Sequence, residues 1–429
     1  MQIRRNKKEK LLRIFASEEN LNKNIHKIYL MLAISLGTIL AIGMPFFNEP
    51  DGVYHFVNSA NIANLTVDVS AYGETDQWFG DQFAAQRPNR QDGTFFQKYF
   101  KNEVQLMNQK NLPRLQTTPG KTSFRYWSAI IPAIGVWVGY HIYPSMGVMI
   151  VVARLVNMFL LSLGMFFIIK YVQKGKLFFI LSVLNPVTLN LFASLSNDGL
   201  SVVLVSWMSA LAINMIVENK LQKSKLIWMI IVSAVIAFAA KTNFLLLLLV
   251  IPLLLLVFLS NGRLEKRWQD LTLVLKIVLL GVTFALVAVA SYIVLGRFGG
   301  AGHIIYRWLI NIFYQFTNST FSIFTSSLTV PLGNFNTPMP IWLSAAWALI
   351  LALVALSEEK FVKHSLISWG SLAIFMMNLL GLYLIFMNDF TSGRNGELGS
   401  IGGIQGRYIT PLFLMVFIFI SDSRFRLKV

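Results

Sequence analysis

Residues 146–169 read MGVMIVVARLVNMFLLSLGMFFII, an apolar stretch interrupted by a single charge at Arg154. At 1.5 Å per residue, a helix of this length crosses a hydrocarbon core of roughly 30 Å. Lipid offers no hydrogen-bond partners to the backbone, and a helix satisfies those groups within the segment itself. This stretch therefore predicts a transmembrane helix, and similar runs recur along nearly the whole chain.

The composition agrees with a chain whose solvent is mostly lipid. Of the 429 residues, 55% are hydrophobic and 13% are charged, against about 25% charged in soluble domains. The net charge of +17 comes from Lys and Arg at the ends of apolar runs, which indicates membrane topology and not a nucleic-acid partner. The absence of cysteine excludes disulfides, thiol catalysis and Cys-ligated zinc, and suits a bacterial surface protein. We predict an all-α integral membrane protein whose main partner is the lipid bilayer.

The distribution of basic residues predicts the topology. Eight Lys and Arg fall within residues 1–27, which places the N-terminus in the cytoplasm. The segment 124–143, broken by Pro132, either spans the membrane or lies on its outer face. If it lies on the outer face, the helix over 146–169 runs inward and places Lys170, Lys174 and Lys176 in the cytoplasm. Beyond 146–169, helices are then predicted near 177–195, 199–217, 226–241, 243–260, 272–295, 340–356, 365–387 and 408–422.

The result is a polytopic membrane domain over 28–422, with about ten spanning helices. Its first helix is predicted over Tyr29–Phe47 and is not cleaved as a signal peptide. A cytoplasmic tail occupies 423–429, so both termini lie inside a multi-pass protein of the cell membrane. External segments are predicted at 48–145, where interfacial helices are expected, at 296–339 and at 388–407.

The first candidate for chemistry follows the first helix and reads NEPDGVYH over residues 48–55. If a helix begins after Pro50, Asp51 and His55 lie one turn apart on one face. A carboxylate there, with the imidazole nearby, suits a general base toward a hydroxyl nucleophile. The alternative is that Asp51 only opens a surface helix through the helix dipole.

The second candidate is the glycine-rich stretch GRNGELGSIGGIQGRY over residues 393–408. Glycine-rich backbone can turn its N–H groups inward around an anion, and Arg407 can grip a phosphate with two hydrogen bonds. The alternative is a flexible hairpin whose arginine reaches the lipid headgroups. No nucleotide-binding loop or metal motif is found, so we expect the donor of any transferred group to come from the membrane.

Three further charges, Lys241, Arg154 and Asp198, fall on the predicted outer side. An outward lysine opposes the positive-inside trend and favours an anionic partner, for which lipid headgroups are the alternative. Asp198 serves equally well as a cap for the helix predicted to begin at Gly199.

Three short anchors resemble a known group of proteins. The order of a first helix, an acidic outer motif, a long outer loop and an Arg-bearing second helix is similar to the GT-C superfamily of polyprenyl-phosphate-sugar glycosyltransferases. More closely, PDGVYH at 50–55, the Lys241 hairpin and GIQGRYITP at 403–411 resemble an uncharacterised bacterial multi-pass family with Pro-Asp-Glu…His and Gly-x-Gln-Gly-Arg-Tyr…Pro motifs. The last anchor, which contains Gln405, Arg407 and Tyr408, is the most specific.

This resemblance implies a GT-C-like bundle that transfers a sugar from a lipid phosphate on the outer face. Asp51 takes the position of the catalytic acidic residue, and Lys241, Arg154, Gln405 and Arg407 are the expected ligands of the lipid phosphate. Gly52 stands where the close family usually has Glu, which leaves a divalent cation open as a cofactor and puts the chemistry itself in question.

The leading hypothesis is therefore a glycosyltransferase that attaches a sugar from a polyprenyl phosphate to a surface glycan or cell-wall polymer. Two rivals remain open. A transporter or flippase for lipid-linked saccharides needs a polar path between the leaflets. Few charges are predicted at mid-membrane, which argues against this alternative. A non-catalytic subunit of a polysaccharide assembly complex is favoured by Gly52.

Overall fold

The computed structural model is all-helical over the residues it describes, apart from one isolated antiparallel bridge between Val67 and Leu106. The described residues are 18–44, 46–47, 49, 52–69, 93–107, 124–239, 242–260, 263–296, 300, 302–309, 341–390, 406–423 and 427. The chain separates into two compact units. The first contains the described residues up to Ser206, and the second contains most of those from Trp207 onward.

The first unit contains both long and short helices. They are α1 Glu18–Gly43, α2 Gly52–Ile62, α3 Ile130–Ile142, α4 Met146–Tyr171, α5 Lys176–Val183, α6 Pro186–Phe192 and α7 Asp198–Glu218, the last of which continues into the second unit. Shorter turns are Gly93–Phe96, the π-helical Gln97–Lys101 and the 3-10 turn Phe124–Ala129, which leads into α3.

The second unit also contains long and short helices. It contains α8 Lys223–Ala239, a 3-10 segment Thr242–Leu249 that continues as α9 Val250–Leu259, α10 Arg263–Asp270, α11 Leu273–Leu295, α12 Ile341–Ser357, α13 Ser365–Phe390 and α14 Phe413–Ile420. The 3-10 turns Gly406–Tyr408 and Thr410–Leu412 precede α14, and residues 302–309 are also helical.

Four stretches of the described residues are long and apolar enough to cross a membrane. They are Lys23–Gly43, Met146–Tyr171, Asp198–Glu218 and Ser365–Ile385. Shorter apolar helices are Trp127–Ile142, Phe244–Leu259, Trp342–Ser357 and Gly406–Ile420. The prediction of a helical, multi-pass membrane architecture is therefore confirmed, while the number of about ten spans stays a prediction.

Helices α1 and α4 pack antiparallel. The His26 ring packs at a tilt against Phe166 with ring centroids 5.0 Å apart, Gly37 lies against Met158, and Met44 at the end of α1 contacts Arg154. The start of α1 and the end of α4 therefore lie together, and Lys27, Lys170 and Lys176 all lie near enough to act on His26 electrostatically. Such a pairing is what the outer-face placement of residues 124–143 requires.

Helices α3 and α4 form a tight hairpin around two glycines one turn apart. A Cβ at Gly135 would fall 2.4 Å from Ala153 Cα, and one at Gly139 would fall 2.8 Å from Met149 Cα. Small residues at a four-residue spacing let two helix backbones approach closely. The α3–α4 hairpin thus depends on the missing side chains at these positions.

In the second unit, several helix ends meet at one place. His364 Nε2 lies 3.0 Å from Asn219 Oδ1, and the His364 ring meets Phe258 edge-on at 6.2 Å. Lys360 Nζ lies 2.7 Å from an Asp422 carboxylate oxygen. These contacts bring together the ends of α7, α9 and α14 and the start of α13. All of these helix ends adjoin segments that were predicted to be cytoplasmic.

The first helix, predicted over Tyr29–Phe47, is α1 at Glu18–Gly43 and ends before Phe47. Another predicted helix is divided in two. The segment predicted as a single helix over 177–195 is divided into α5 and α6, with a break at Leu184 and Asn185. Asn185 Oδ1 accepts the Thr188 N–H at 2.9 Å and so caps α6, while Pro186 occupies its first turn. A strong cap signal inside the apolar run thus ends one helix and starts another.

Candidate functional site

The chain after α1 makes a sharp, buried turn. Phe47 has φ of 57°, a left-handed conformation that is uncommon for an aromatic residue and marks local strain. Its ring packs edge-on against Phe56 of α2 with centroids 6.0 Å apart. This turn carries the chain from the end of α1 into Glu49, which is itself buried.

Arg154 of α4 holds this turn from the other side. Its Nη2 donates to Glu49 Oε2 at 2.7 Å, and its Nη1 donates to the Met44 carbonyl at 2.7 Å. The guanidinium also lies 5.6 Å from the Phe46 ring centroid, and the Arg154 side chain has 0% exposure. Because an unpaired buried charge is costly, the Arg154–Glu49 pair ties the acidic segment to the membrane helix.

Gly52, the first residue of α2, fits this turn only because it lacks a side chain. A Cβ there would lie 2.9 Å from Phe47 Cα and 3.1 Å from Glu49 Cγ. The Gly52 N–H donates to the Glu49 carbonyl at 3.0 Å. A glutamate at position 52 would therefore need the backbone near Phe47 to move, and the nearest described carboxylate in the sequence is Glu49.

The predicted helix after Pro50 is present as α2, and it places His55 in the interior. His55 is 3% exposed, and its carbonyl accepts the Ser59 hydroxyl at 2.7 Å. The neighbouring Val53 and Phe56 belong to the apolar cluster that α2 shares with α3 and α4. Asp51 lies outside the described residues, between Glu49 and Gly52 in the sequence.

A second buried polar group lies one turn further along α4. Asn157 Nδ2 donates to the carbonyls of Ser194 at 2.8 Å and Phe192 at 3.3 Å. Phe192 is the last residue of α6, and Ser194 lies in the turn that follows it. Asn157 donates the hydrogen bonds that these carbonyls would accept from backbone N–H groups in an unbroken helix. The turn is packed, because Leu195 joins the same apolar cluster as Phe56.

Asp198 begins α7 at the end of this turn. It is 4% exposed, and its backbone N–H donates to the Ser196 hydroxyl at 3.2 Å. Asn197 Nδ2 donates to the Ser128 hydroxyl at 3.0 Å, which connects the turn to the segment before α3. Asp198 therefore lies in a buried, hydroxyl-rich and amide-rich turn between two helices.

Arg407 and Tyr408 belong to the second unit and are both buried. The Arg407 guanidinium lies 5.3 Å from the Tyr408 ring centroid, and its Nη2 is 3.4 Å from the Tyr408 hydroxyl. The 3-10 turn that carries them is closed by Thr410, whose hydroxyl lies 3.4 Å from the Gly406 carbonyl. Residues 393–405 of the glycine-rich stretch, including Gln405, lie outside the described residues.

Two helix starts share one end of the second unit. Gly370 and Gly381 of α13 lie against Leu253 and Leu246, so the helix that begins at Thr242 runs antiparallel to α13. Trp369 and Phe375 of α13 contact Phe419 and Phe413, so α14 also runs antiparallel to α13. Thr242 and Arg407 therefore lie toward the same end of α13, while Lys241 itself is outside the described residues.

Sequence reasoning did not single out Glu49 or Asn157. Asn157 carried a usable signal, because it follows Arg154 by three residues and so shares its face of a transmembrane helix. The pairing of Glu49 with Arg154 had no such local signal, since 105 residues separate them. Within the described part of the chain, no group of three or more acidic or histidine side chains is arranged to hold a metal ion.

Comparison with known proteins identifies a family. Neither a curated protein nor a solved structure matches the chain significantly. A family model described as "Predicted membrane protein (DUF2142)" matches residues 34–416, which is most of the chain and includes α2, α4 and the turn at Arg407. The chain therefore belongs to this family of membrane proteins.

Proposed function

We propose that this protein is a membrane glycosyltransferase that moves a sugar from a polyprenyl phosphate to a surface glycan or cell-wall polymer. The observation that carries the proposal is the buried Arg154–Glu49 pair, which holds the acidic segment after α1 against α4. A catalytic carboxylate needs such support, because catalytic groups work only in a closely held geometry. Asp51 lies between Glu49 and Gly52, the two residues through which this support acts.

In the proposed reaction, Asp51 accepts the proton of an acceptor hydroxyl, and His55 assists by a hydrogen bond or proton. The hydroxyl oxygen attacks the anomeric carbon as the bond to the lipid phosphate breaks, and the phosphate leaves with the bonding electrons. Neutralising the charge that develops on this phosphate is the role that the sequence resemblance implies for Lys241 and Arg407. Losing one such electrostatic contact costs roughly 10²-fold or more in rate.

The proposal includes a topology of about ten spans in a GT-C-like bundle, with both termini in the cytoplasm. Two observations support it. Lys27 lies with Lys170 and Lys176 at one end of the first unit, and Lys360 lies with the ends of α7, α9 and α14 in the second. The positive-inside rule assigns such basic ends to the cytoplasm, which leaves Glu49 and Arg407 toward the outer face.

A second candidate is a transporter for lipid-linked saccharides. The observation that favours it is the break between α5, α6 and α7, where Asn157 and Ser194 support a buried non-helical turn beside Asp198. Interrupted helices of this kind line the substrate sites of many transporters. The transferase is preferred because the acidic segment at Glu49 is held more firmly, by an ion pair and a tight turn.

The test compares surface-glycan composition and lipid-linked precursors in cells that carry the wild-type protein, Asp51→Asn or Arg407→Ala at matched expression. Asp270→Asn, at the end of α10, is the control for loss of a carboxylate. We expect both site variants to lack one sugar in the glycan and to accumulate its polyprenyl-phosphate form, while the control matches the wild type.

Other outcomes contradict the proposal. An unchanged glycan in Asp51→Asn cells refutes the catalytic role of Asp51. Accumulation of a complete lipid-linked saccharide, with its sugar already attached, points to transport or assembly instead.

A further inference from the structure

Three contacts around the Arg154–Glu49 pair restrain the described residues between the end of α1 and the start of α2. Arg154 binds the Met44 carbonyl at the end of α1, and it binds the Glu49 carboxylate five residues later. The start of α2 at Gly52 then packs directly on the Phe47 backbone. Met44 and Glu49 are thus both bound by one side chain of α4, and the start of α2 packs on the Phe47 backbone beside them.

Stability alone does not explain this arrangement. Replacing a buried ion pair with apolar residues of similar volume is often neutral or stabilising, so such a pair is weak evidence for a purely structural role. The same passage contains Phe47 in a strained left-handed conformation, and strain of this kind collects at functional sites. The arrangement is suited to fixing the position of a segment, at some cost in stability.

The geometry also bears on the phosphate-binding role considered for Arg154. Both of its terminal nitrogens already bind protein oxygens, and the negative charge of Glu49 at 2.7 Å offsets its positive charge. A phosphate ligand needs uncompensated positive charge and free donors. The charge and the terminal donors of Arg154 are therefore used in contacts within the protein and not in binding a phosphate.

We propose that Arg154 and Glu49 form a positioning pair that holds the end of α1, Glu49 and the start of α2 in one arrangement, on which the activity proposed for Asp51 depends. This proposal rests on the proposed function for its catalytic consequence. Its structural consequence, a restrained start of α2, is independent of any activity.

The experiment uses the absence of cysteine in the chain. A single cysteine is introduced by Tyr54→Cys, at a half-buried position of α2, and its reaction rate with a membrane-impermeant maleimide is measured in the full-length protein in proteoliposomes. The pair is then removed by the double change Glu49→Leu with Arg154→Met, which preserves apolar packing where a single change leaves a buried charge. Arg154→Lys is the variant that retains the positive charge without the two-nitrogen fork.

We expect labelling in the double variant to be about tenfold faster or more, because opening of the segment no longer breaks an ion pair. Gly52→Ala is expected to act in the same direction, since its Cβ would meet the Phe47 backbone at 2.9 Å. Its matched control is Gly43→Ala, which would meet nothing within 4 Å and is expected to label like the wild type. Arg154→Lys is expected to label at a rate between the wild type and the double variant, because an ammonium group keeps the charge but does not reproduce the planar fork that binds both acceptors.

Donor kinetics complete the test. For a positioning pair, we expect the double variant to lower kcat with little change in the KM for a polyprenyl-phosphate sugar, and Arg154→Lys to restore part of kcat. Wild-type labelling in the double variant, or a raised donor KM at unchanged kcat, overturns the proposal. If the wild type itself shows no transfer while labelling changes as expected, the positioning pair stands and the proposed function fails.

Discussion

Placing a methyl group at Gly135 should separate α3 from α4. The Cβ of Gly135→Ala would fall 2.4 Å from Ala153 Cα and 3.2 Å from Ala153 Cβ, so it meets backbone as well as a side chain. Restoring an ordinary carbon–carbon contact requires the helices to move apart by about 1 Å, which forfeits up to half of the dispersion energy of neighbouring contacts. Overpacking of this kind costs about 1–3 kcal/mol.

The matched control is Gly281→Ala in α11, where a Cβ would meet nothing within 4 Å. There the same change should stabilise by about 0.5–1 kcal/mol, because alanine is the better helix former. The two variants are compared by thermal unfolding of the purified protein in one detergent, followed by tryptophan fluorescence, to which Trp137 of α3 contributes. We expect Gly135→Ala to lower the apparent Tm and Gly281→Ala to raise it slightly. An unchanged Tm in Gly135→Ala would refute the close α3–α4 crossing.

Two further predictions follow from the described contacts. Asn157→Leu should destabilise the protein by about 1–3 kcal/mol, because the buried carbonyls of Phe192 and Ser194 lose their donor; an unfolding midpoint equal to the wild type would contradict this. For the proposed topology, single-cysteine variants are labelled with an impermeant maleimide in intact cells. Glu103→Cys should react at once and Glu359→Cys only after permeabilisation, and the reverse order would invert the proposed orientation.

Hydrophobic length and charge were enough to predict two of the long helices closely. The stretch predicted over 146–169 is α4 at Met146–Tyr171, and the stretch predicted over 199–217 is α7 at Asp198–Glu218. Both are set by local properties, because lipid forces every apolar run of this length into a helix. The helix after Pro50 was also predictable from its position signals, and α2 begins at Gly52.

The break between α5 and α6 was missed because the apolar run continues through it. The signal was local all the same, since Asn185 followed by Pro186 is a favoured way to begin a helix. Hydrophobicity alone does not distinguish one long helix from two short ones when only a few residues separate them. The carbonyls near the break must then accept hydrogen bonds from another part of the chain. Asn157 of α4, distant in sequence, provides such a hydrogen bond.

The partner of Arg154 could not have been predicted from one sequence. Glu49 lies 105 residues away and is one of several acidic residues in the predicted outer segment. Its selection depends on how α1 packs against α4, which no local pattern encodes. The same holds for Gly52, whose lack of a side chain acquires meaning only beside Phe47.

The central claim, transfer of a sugar by Asp51, is tested most directly with purified protein in proteoliposomes. The donor is a radiolabelled polyprenyl-phosphate sugar prepared from the membranes of the native cells, and the acceptor is the surface glycan from cells that lack the protein. Label should pass from lipid to glycan with the wild type and fall by about 10²-fold or more with Asp51→Asn. No transfer by the folded wild type, or equal transfer by Asp51→Asn, would contradict the claim.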